Sequence, residues 1–324
     1  MRPEPILLSR IAAQPHDPEP RLACAEWFEK HGEGARAELI RAQLALRTRL
    51  NPVQRAEKEA RVRELLSTHG KTWLAELPGV GKGGAHYSRG FVEELELSEK
   101  TLAEQGEVLL ASEPVFRLRV QVQDGKGLAK ASEQPWFARI RWLKLTGKAD
   151  AGAKALAASP HVGQLESLLM PWTTAKGISA LAQSERLTGL RTLSLTGSVE
   201  LGGEGLSTLV QGRLRPERLF LTGIELEEGI ASCVEGALLE SVKWLALNRD
   251  NLSDDDAEAL AGSKSLRNLE RLELAKNELS EEGALVFRSS KVMPSLKHLD
   301  LSGMWYSPEG LEPLRRRFGR GLKL

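Results

Sequence analysis

Nine copies of one short pattern, set at nearly constant spacing, leave this chain few architectures to adopt. The cleanest copy runs from Leu269 to Leu279, Leu-Glu-Arg-Leu-Glu-Leu-Ala-Lys-Asn-Glu-Leu, and fits LxxLxLxxNxL without a departure. With its second leucine as a marker, the pattern recurs at Leu95, Leu118, Leu143, Leu168, Leu193, Leu219, Leu245, Leu272 and Leu299, in steps of 23, 25, 25, 25, 26, 26, 27 and 27 residues. Each marker has an apolar residue two positions later and, except for the weak case of Pro216, another three positions earlier. Leu322-Lys323-Leu324 repeats the core 23 residues after Leu299, as a truncated tenth copy. A strand has period two, so the marker and its apolar partner point one way and the residues beside the marker point the other. Units repeated at such a period bury their apolar faces only against their neighbours, which frees a 324-residue chain from the size ceiling of a single globular core.

The pattern resembles the leucine-rich repeat, and steps of 26 and 27 with helical backs resemble the ribonuclease-inhibitor class. The resemblance implies an α/β fold: a horseshoe solenoid, with a parallel sheet on its concave face, preceded by an α-helical domain. Helix starts are read at Ser253 before Asp254-Asp255-Asp256, at Ser280 before Glu281-Glu282, and at Ser307-Pro308-Glu309. The shorter N-terminal steps predict less helical backs. The turn asparagine stands only at Asn277; the same position elsewhere holds Lys148, Thr173, Ser198, Ile224, Asp250 or Met304, which predicts looser turns and the cleanest geometry from Leu245 to Leu301.

Residues 1–77 have a different character. Apolar spacing predicts helices around Leu7, Leu8 and Ile11, from Leu22 to a stop at His31-Gly32, and around Leu39, Ile40 and Leu44. Asn51-Pro52 opens a longer helix expected to stop at Gly70, followed by a short one from Thr72 to Leu77. Residues 78–90 read as a linker and 91–324 as the solenoid with a C-terminal cap. Pro78-Gly79-Val80-Gly81-Lys82-Gly83-Gly84 fails as a phosphate loop, because Glu76 and Gly83 stand where that motif needs Gly and Ser or Thr.

The run Asp17-Pro18-Glu19-Pro20-Arg21-Leu22-Ala23-Cys24-Ala25-Glu26-Trp27-Phe28-Glu29-Lys30-His31-Gly32, followed by Arg36-Ala37-Glu38-Leu39-Ile40-Arg41-Ala42-Gln43, resembles the bacterial repeat-companion domain. Cys24 stands where that family often has Tyr, and Glu26 where it has Asp. The resemblance extends over residues 4–50 and continues through Arg89-Gly90-Phe91-Val92-Glu93-Glu94. It implies a helical unit accompanying repeats and assigns no chemistry. Read from the residues, adjacent Trp27 and Phe28 cannot share one helix face, so one is expected among the helices and the other against the first coil. Arg36, Glu38 and Arg41 are expected to form ion pairs.

Lys and Arg number 45 against 44 acidic residues, a formal charge of +1, so no global field favours nucleic acid or an anionic membrane. No apolar run approaches the roughly 18 residues of a membrane span. Cys24 and Cys233 lie far apart, each in a segment that reads as helical, and are read as small buried apolar side chains. The expectation is a cytoplasmic protein, monomeric alone, with no cofactor or metal. No nucleophile, base and orienting group share a recognisable spacing; His298 beside Asp300 and Glu273 comes nearest, and the chain is not expected to be an enzyme.

The outward strand positions carry the functional expectation, because they owe nothing to the core. Only 16 of the 324 residues are aromatic, yet Trp142, Phe220 and Trp244 occupy such positions, with Trp172, Trp305 and Tyr306 on the turns just beyond. Arg117, Arg119, Lys144, Arg218 and Arg271 stand among them. Arginine beside tryptophan is the composition of protein-interface hot spots. The expected function is a concave face that binds a protein or peptide partner, as an adaptor or inhibitor. An alternative is regulation of a partner enzyme or small GTPase through an inserted polar side chain such as Arg218 or Asn248.

Overall fold

A computed structural model describes residues 3, 5–81, 83–226, 230–289, 291, 293–307 and 309–324. Four helices come first: α1 (Pro5–Ala13), α2 (Glu19–Lys30), α3 (Gly34–Ala45) and α4 (Pro52–Ala75). The hairpin β1 (Ala85–Ser88) and β2 (Phe91–Ser98) follows, then strands and backing helices alternate: α5 (Glu99–Ser112), β3 (Arg117–Val122), α6 (Lys126–Ser132), β4 (Trp142–Gly147), α7 (Ala149–Ala158), β5 (Ser167–Leu169), α8 (Ala175–Ala182), β6 (Thr192–Ser194), α9 (Gly202–Val210) and β7 (Arg218–Phe220). The chain continues through β8 (Trp244–Ala246), α10 (Asp254–Gly262), β9 (Arg271–Glu273), α11 (Glu281–Leu285), β10 (His298–Asp300), α12 (Glu312–Phe318) and β11 (Leu322–Lys323).

Among the described residues eleven strands form one sheet in sequence order, parallel except where β1 pairs antiparallel with β2. Each marker leucine pairs with the next, from Leu95 with Leu118 through Leu299 with Leu322. The markers are all buried and share one core with the leucines of the backing helices. This α/β architecture is compatible with a solenoid-like fold.

The backs differ from expectation. The first coil has the longest, the 14-residue α5, and β2, β3 and β4 are the longest strands, so pairing is most extensive at the N-terminal end. Between β7 and β8 the described residues hold only 3-10 turns, at Ala231–Cys233 and Leu239–Ser241. The helix that the sequence suggests around Cys233, from Glu228 to Leu238, is therefore absent over residues 230–238, and Glu228 lies outside the described residues. Both cysteines are free and buried as expected, and burial pushes the Cys24 thiol up to about 12. Ser253 and Ser280 cap α10 and α11. The third expected start is displaced: Ser307 Oγ accepts the Gly310 amide, α12 begins only at Glu312, and Pro308 lies outside the described residues.

The turns keep a polar spine where looseness was expected. Asn277, Asp250, Ser198 and Thr173 are all buried. Ser198 Oγ accepts the Thr173 amide at 2.9 Å, and Thr173 Oγ1 donates to Met170 O at 2.9 Å. Short hydroxyls thus do part of the asparagine's work, Ser198 Oγ accepting an amide of the preceding coil and donating to Met170 O.

Asn51 and Gln54 form the capping box that opens α4. That helix then runs unbroken through Gly70, so the separate helix expected from Thr72 does not exist. Trp73 in its last turns stacks on His69 and meets the Tyr87 ring edge-on, contacts that stopping at Gly70 would lose.

The helices' core is closed by two residues from the start of the sheet. Phe91 and Phe116 from the sheet join Ile11, Cys24, Phe28 and Ile40 in one cluster; Phe28 is buried there while Trp27 stacks on His31. Polar joints reinforce the seam. Arg21 pairs with Glu93 at 2.6 Å, Arg36 with Glu113 at 2.8 Å, and Gln43 Oε1 accepts the Gly90 amide at 2.6 Å. Glu38 pairs with Arg61 and Arg41 with Glu29. The segment expected to be a linker holds β1 and its two-residue turn, Arg89-Gly90, with φ of 51° and 87°. Positive φ at both positions is what a tight hairpin of right-twisted strands demands. Lys82, the lysine of the rejected phosphate loop, lies outside the described residues.

Candidate functional site

The pairing register sets the outward residues in rows across the sheet, and two clusters stand out. At β2 to β4, Glu94 is the pivot: its Oε2 accepts from Arg117 Nε at 2.8 Å and its Oε1 from Arg119 Nε at 2.5 Å. Both guanidiniums lie against the Trp142 ring, 4.4 and 5.4 Å from its centroid. Glutamate neutralises part of the charge while the ring screens it from water, so three flexible side chains share one arrangement.

The second cluster spans β7 to β9. Trp244 meets Phe220 edge-on at 5.2 Å, and the Arg271 guanidinium lies 4.4 Å from the Trp244 ring centroid. Glu273 ties them together, accepting from Trp244 Nε1 at 3.1 Å, Arg271 Nε at 2.8 Å and Asn248 Nδ2 at 3.2 Å. Asn248 Oδ1 accepts the Ala275 amide, so this residue is committed within the chain.

Between the clusters, β5 and β6 present Ser167, Leu169, Thr192 and Ser194, all half-buried and none aromatic or charged. Four strand steps separate Trp142 from Trp244, about 19 Å along the sheet at ordinary strand spacing. Lys144 and Arg218 border this floor, and neither forms an ion pair among the described residues. The other expected aromatics lie apart. Trp172, at φ 60°, is 66% exposed, and Trp305 is fully exposed. Tyr306 turns inward: it packs on the core, donates to Met304 Sδ at 3.2 Å, and burial pushes its phenol up to about 12.

Two features escaped the sequence reading. Two residues before each marker from Leu143 onward stand Arg141, Glu166, Arg191, Glu217, Lys243, Glu270 and Lys297, alternating in sign along one rim of the sheet. Arg141–Glu166, Glu217–Lys243 and Glu270–Lys297 are ion pairs at 3.5, 3.6 and 3.1 Å. The register that defined the outward rows would have shown this one had it been applied one residue further back. The second is a cleft of about 570 Å³ where the helical unit meets the first strands, lined by His16, Arg47, Arg89, Arg117, Arg141 and Trp142 among others. No local signal announces it, because its walls come from segments more than a hundred residues apart.

The remaining expectations about chemistry place no cluster. Asp300 and Glu273, expected beside His298, are engaged elsewhere, Asp300 with Lys323 at 2.8 Å and Glu273 as above. Asp254 and Asp256 diverge, the first accepting from Ser280 and the second from Ser253 and Ile230. Among the described residues no group of three or more His, Cys, Asp or Glu could hold a metal ion, and no helix is long and apolar enough to cross a membrane. Comparison with protein-family models finds no match, and comparison with curated proteins finds no relative.

Proposed function

We propose that the protein is a non-catalytic binding module, and that the outward face of its sheet grips a protein or peptide partner as an adaptor or inhibitor. One observation carries the reading: two arginine–tryptophan clusters, each organised by a glutamate, stand on one face at either end of a floor with no aromatic or charged side chain. A structural role alone asks for none of this, since each marker and its partner already fill the core. The interval of about 19 Å suits an α-helix, which with side chains measures about 10–12 Å across, leaving the tryptophans to flank it. Rigid aromatics and arginines around a desolvated centre are where interface energy concentrates.

The strand–helix array fits the leucine-rich-repeat horseshoe that the sequence suggests, with this face as its concave side. In the same reading the helices are a repeat-companion unit shielding the first coil. Supporting this, Arg21, Arg36 and Gln43 of the resembling segment all serve the seam with the sheet. Regulation of an enzyme or small GTPase through an inserted side chain rests on Arg218, which is exposed, rather than on the committed Asn248.

The test is affinity capture from the native cell with wild type beside a Trp142→Ala, Trp244→Ala variant. A partner retained by wild type and lost by a folded variant supports the reading. Equal retention by both would overturn it.

A further inference from the structure

The cleft between the helical unit and the first strands has a charge the chain as a whole lacks. Arg47, Arg89, Arg117 and Arg141 line it, and Arg21 and Arg119 are bound to its glutamates, making six guanidiniums against Glu93, Glu94 and Glu166. Glu93 is shared between Arg21 and Arg89, each at 2.6 Å, and Glu94 between Arg117 and Arg119. Glu93 and Glu94 therefore each face two cations, and Glu166 faces Arg141 at 3.5 Å. Arg47 is exposed and forms no ion pair among the described residues. The formal charge of the whole chain is +1, so this excess is local.

The cleft is also held open by construction. Arg89 sits in the left-handed region at φ 51°, a conformation unfavourable for a residue with a side chain. From there its guanidinium reaches Glu93 and also donates to Pro15 O, fixing the loop before α2 as one wall. A hairpin turn that ordinarily favours Asn-Gly or Asp-Gly instead holds an arginine that braces the wall. Trp142 and Phe116 supply an apolar side.

We propose that this cleft receives an acidic segment of the partner, a short peptide stretch bearing two or more carboxylates beside an apolar residue. The proposal rests on the binding-module reading and places the partner's charged end against β2–β4. A cleft of about 570 Å³ admits a few side chains rather than a strand of nucleic acid. Recognition of a polyanion would also call for a basic stripe, whereas the neighbouring rim alternates in sign.

The test uses fluorescence anisotropy of a fluorescein-labelled octapeptide with seven glutamates and one central leucine, at physiological salt. Wild type should bind it saturably, and its all-glutamine counterpart should not bind. Arg47→Glu combined with Arg141→Gln should weaken binding at least about tenfold, because rim charges set orientation and encounter. Thermal unfolding checks the fold; if the pair of substitutions unfolds the protein, Arg47→Glu alone, on an exposed side chain, carries the test. Absence of peptide binding, equal binding of the glutamine peptide, or unchanged binding by the variants would overturn the proposal. Tighter binding of a labelled eight-nucleotide oligothymidylate than of the acidic peptide would also overturn it. If the peptide fails while partner capture still depends on Trp142 and Trp244, this inference falls and the binding-module reading stands.

Discussion

Asn277 closes the turn that holds Asp250: its Oδ1 accepts the amides of Asp250 and Leu252 at 2.9 and 3.2 Å, while its Nδ2 donates to Leu247 O and Leu274 O. Asp250 repeats half of this one coil earlier, accepting the Ile224 amide at 2.7 Å. A carboxylate has no proton to send to a carbonyl, and Asp250 Oδ2 is buried with no hydrogen-bond partner among the described residues. Burial pushes the Asp250 acid up to about 7, against the pull of amides from residues 223–225.

The sign of the resulting pH effect is definite. The folded value lies above the ordinary aspartate value of about 3.9, so between about pH 4 and 7 the folded state binds a proton that the unfolded chain has lost. Stability from this site is present at low pH and is lost as pH rises through that window. Asp250→Asn supplies the missing donor without a charge. It should stabilise the protein by about 1–3 kcal/mol at pH 8 and hardly at all at pH 4. Urea unfolding of wild type and variant across this range measures the difference.

Arg36 ties the helices to the sheet through a pair in which both side chains are largely buried, 5% and 13% exposed. Its guanidinium also lies within 6 Å of the ring centroids of Phe28, Trp73, Tyr87 and Phe91. Arg36→Leu removes from the largely buried Glu113 a guanidinium at 2.8 Å and from the four rings their shared cation, and should cost about 3–5 kcal/mol in equilibrium unfolding. Adding Glu113→Gln should recover a large part of that loss.

Gly90 is held at φ 87°, and a Cβ there would strike Ile40 of α3. Gly90→Ala combines a left-handed backbone with overpacking at the seam and should destabilise by about 2–4 kcal/mol. Thermal unfolding and hydrogen exchange of α1–α3 would read this as loss of the helical unit's protection.

The pairing register was legible in the sequence because a strand's two-residue period and the repeat spacing are both visible in one dimension. It located Trp142, Phe220 and Trp244 on one face without any coordinates. Side-chain direction was not visible beyond the strands: Tyr306 folds inward while Trp172 stays largely exposed, although both sit on the turns after a marker. Helix content of the backs was misjudged because step length measures the chain used per coil, not the conformation it takes. α5 uses its short step efficiently, while the 26-residue step after Leu219 is spent partly on 3-10 turns. The cleft at the seam depends on Pro15, Arg89 and Trp142 meeting, a long-range coincidence that no local pattern encodes.

The most direct test of the binding face is the affinity of a captured partner, measured by calorimetry, for wild type and for the Trp142→Ala, Trp244→Ala variant. Each tryptophan is half-buried on the face rather than in the core, so the variant should keep a cooperative unfolding transition. Loss of two hot-spot anchors worth about 2 kcal/mol or more each should weaken binding by at least about a hundredfold. Unchanged affinity in a folded variant would contradict the account.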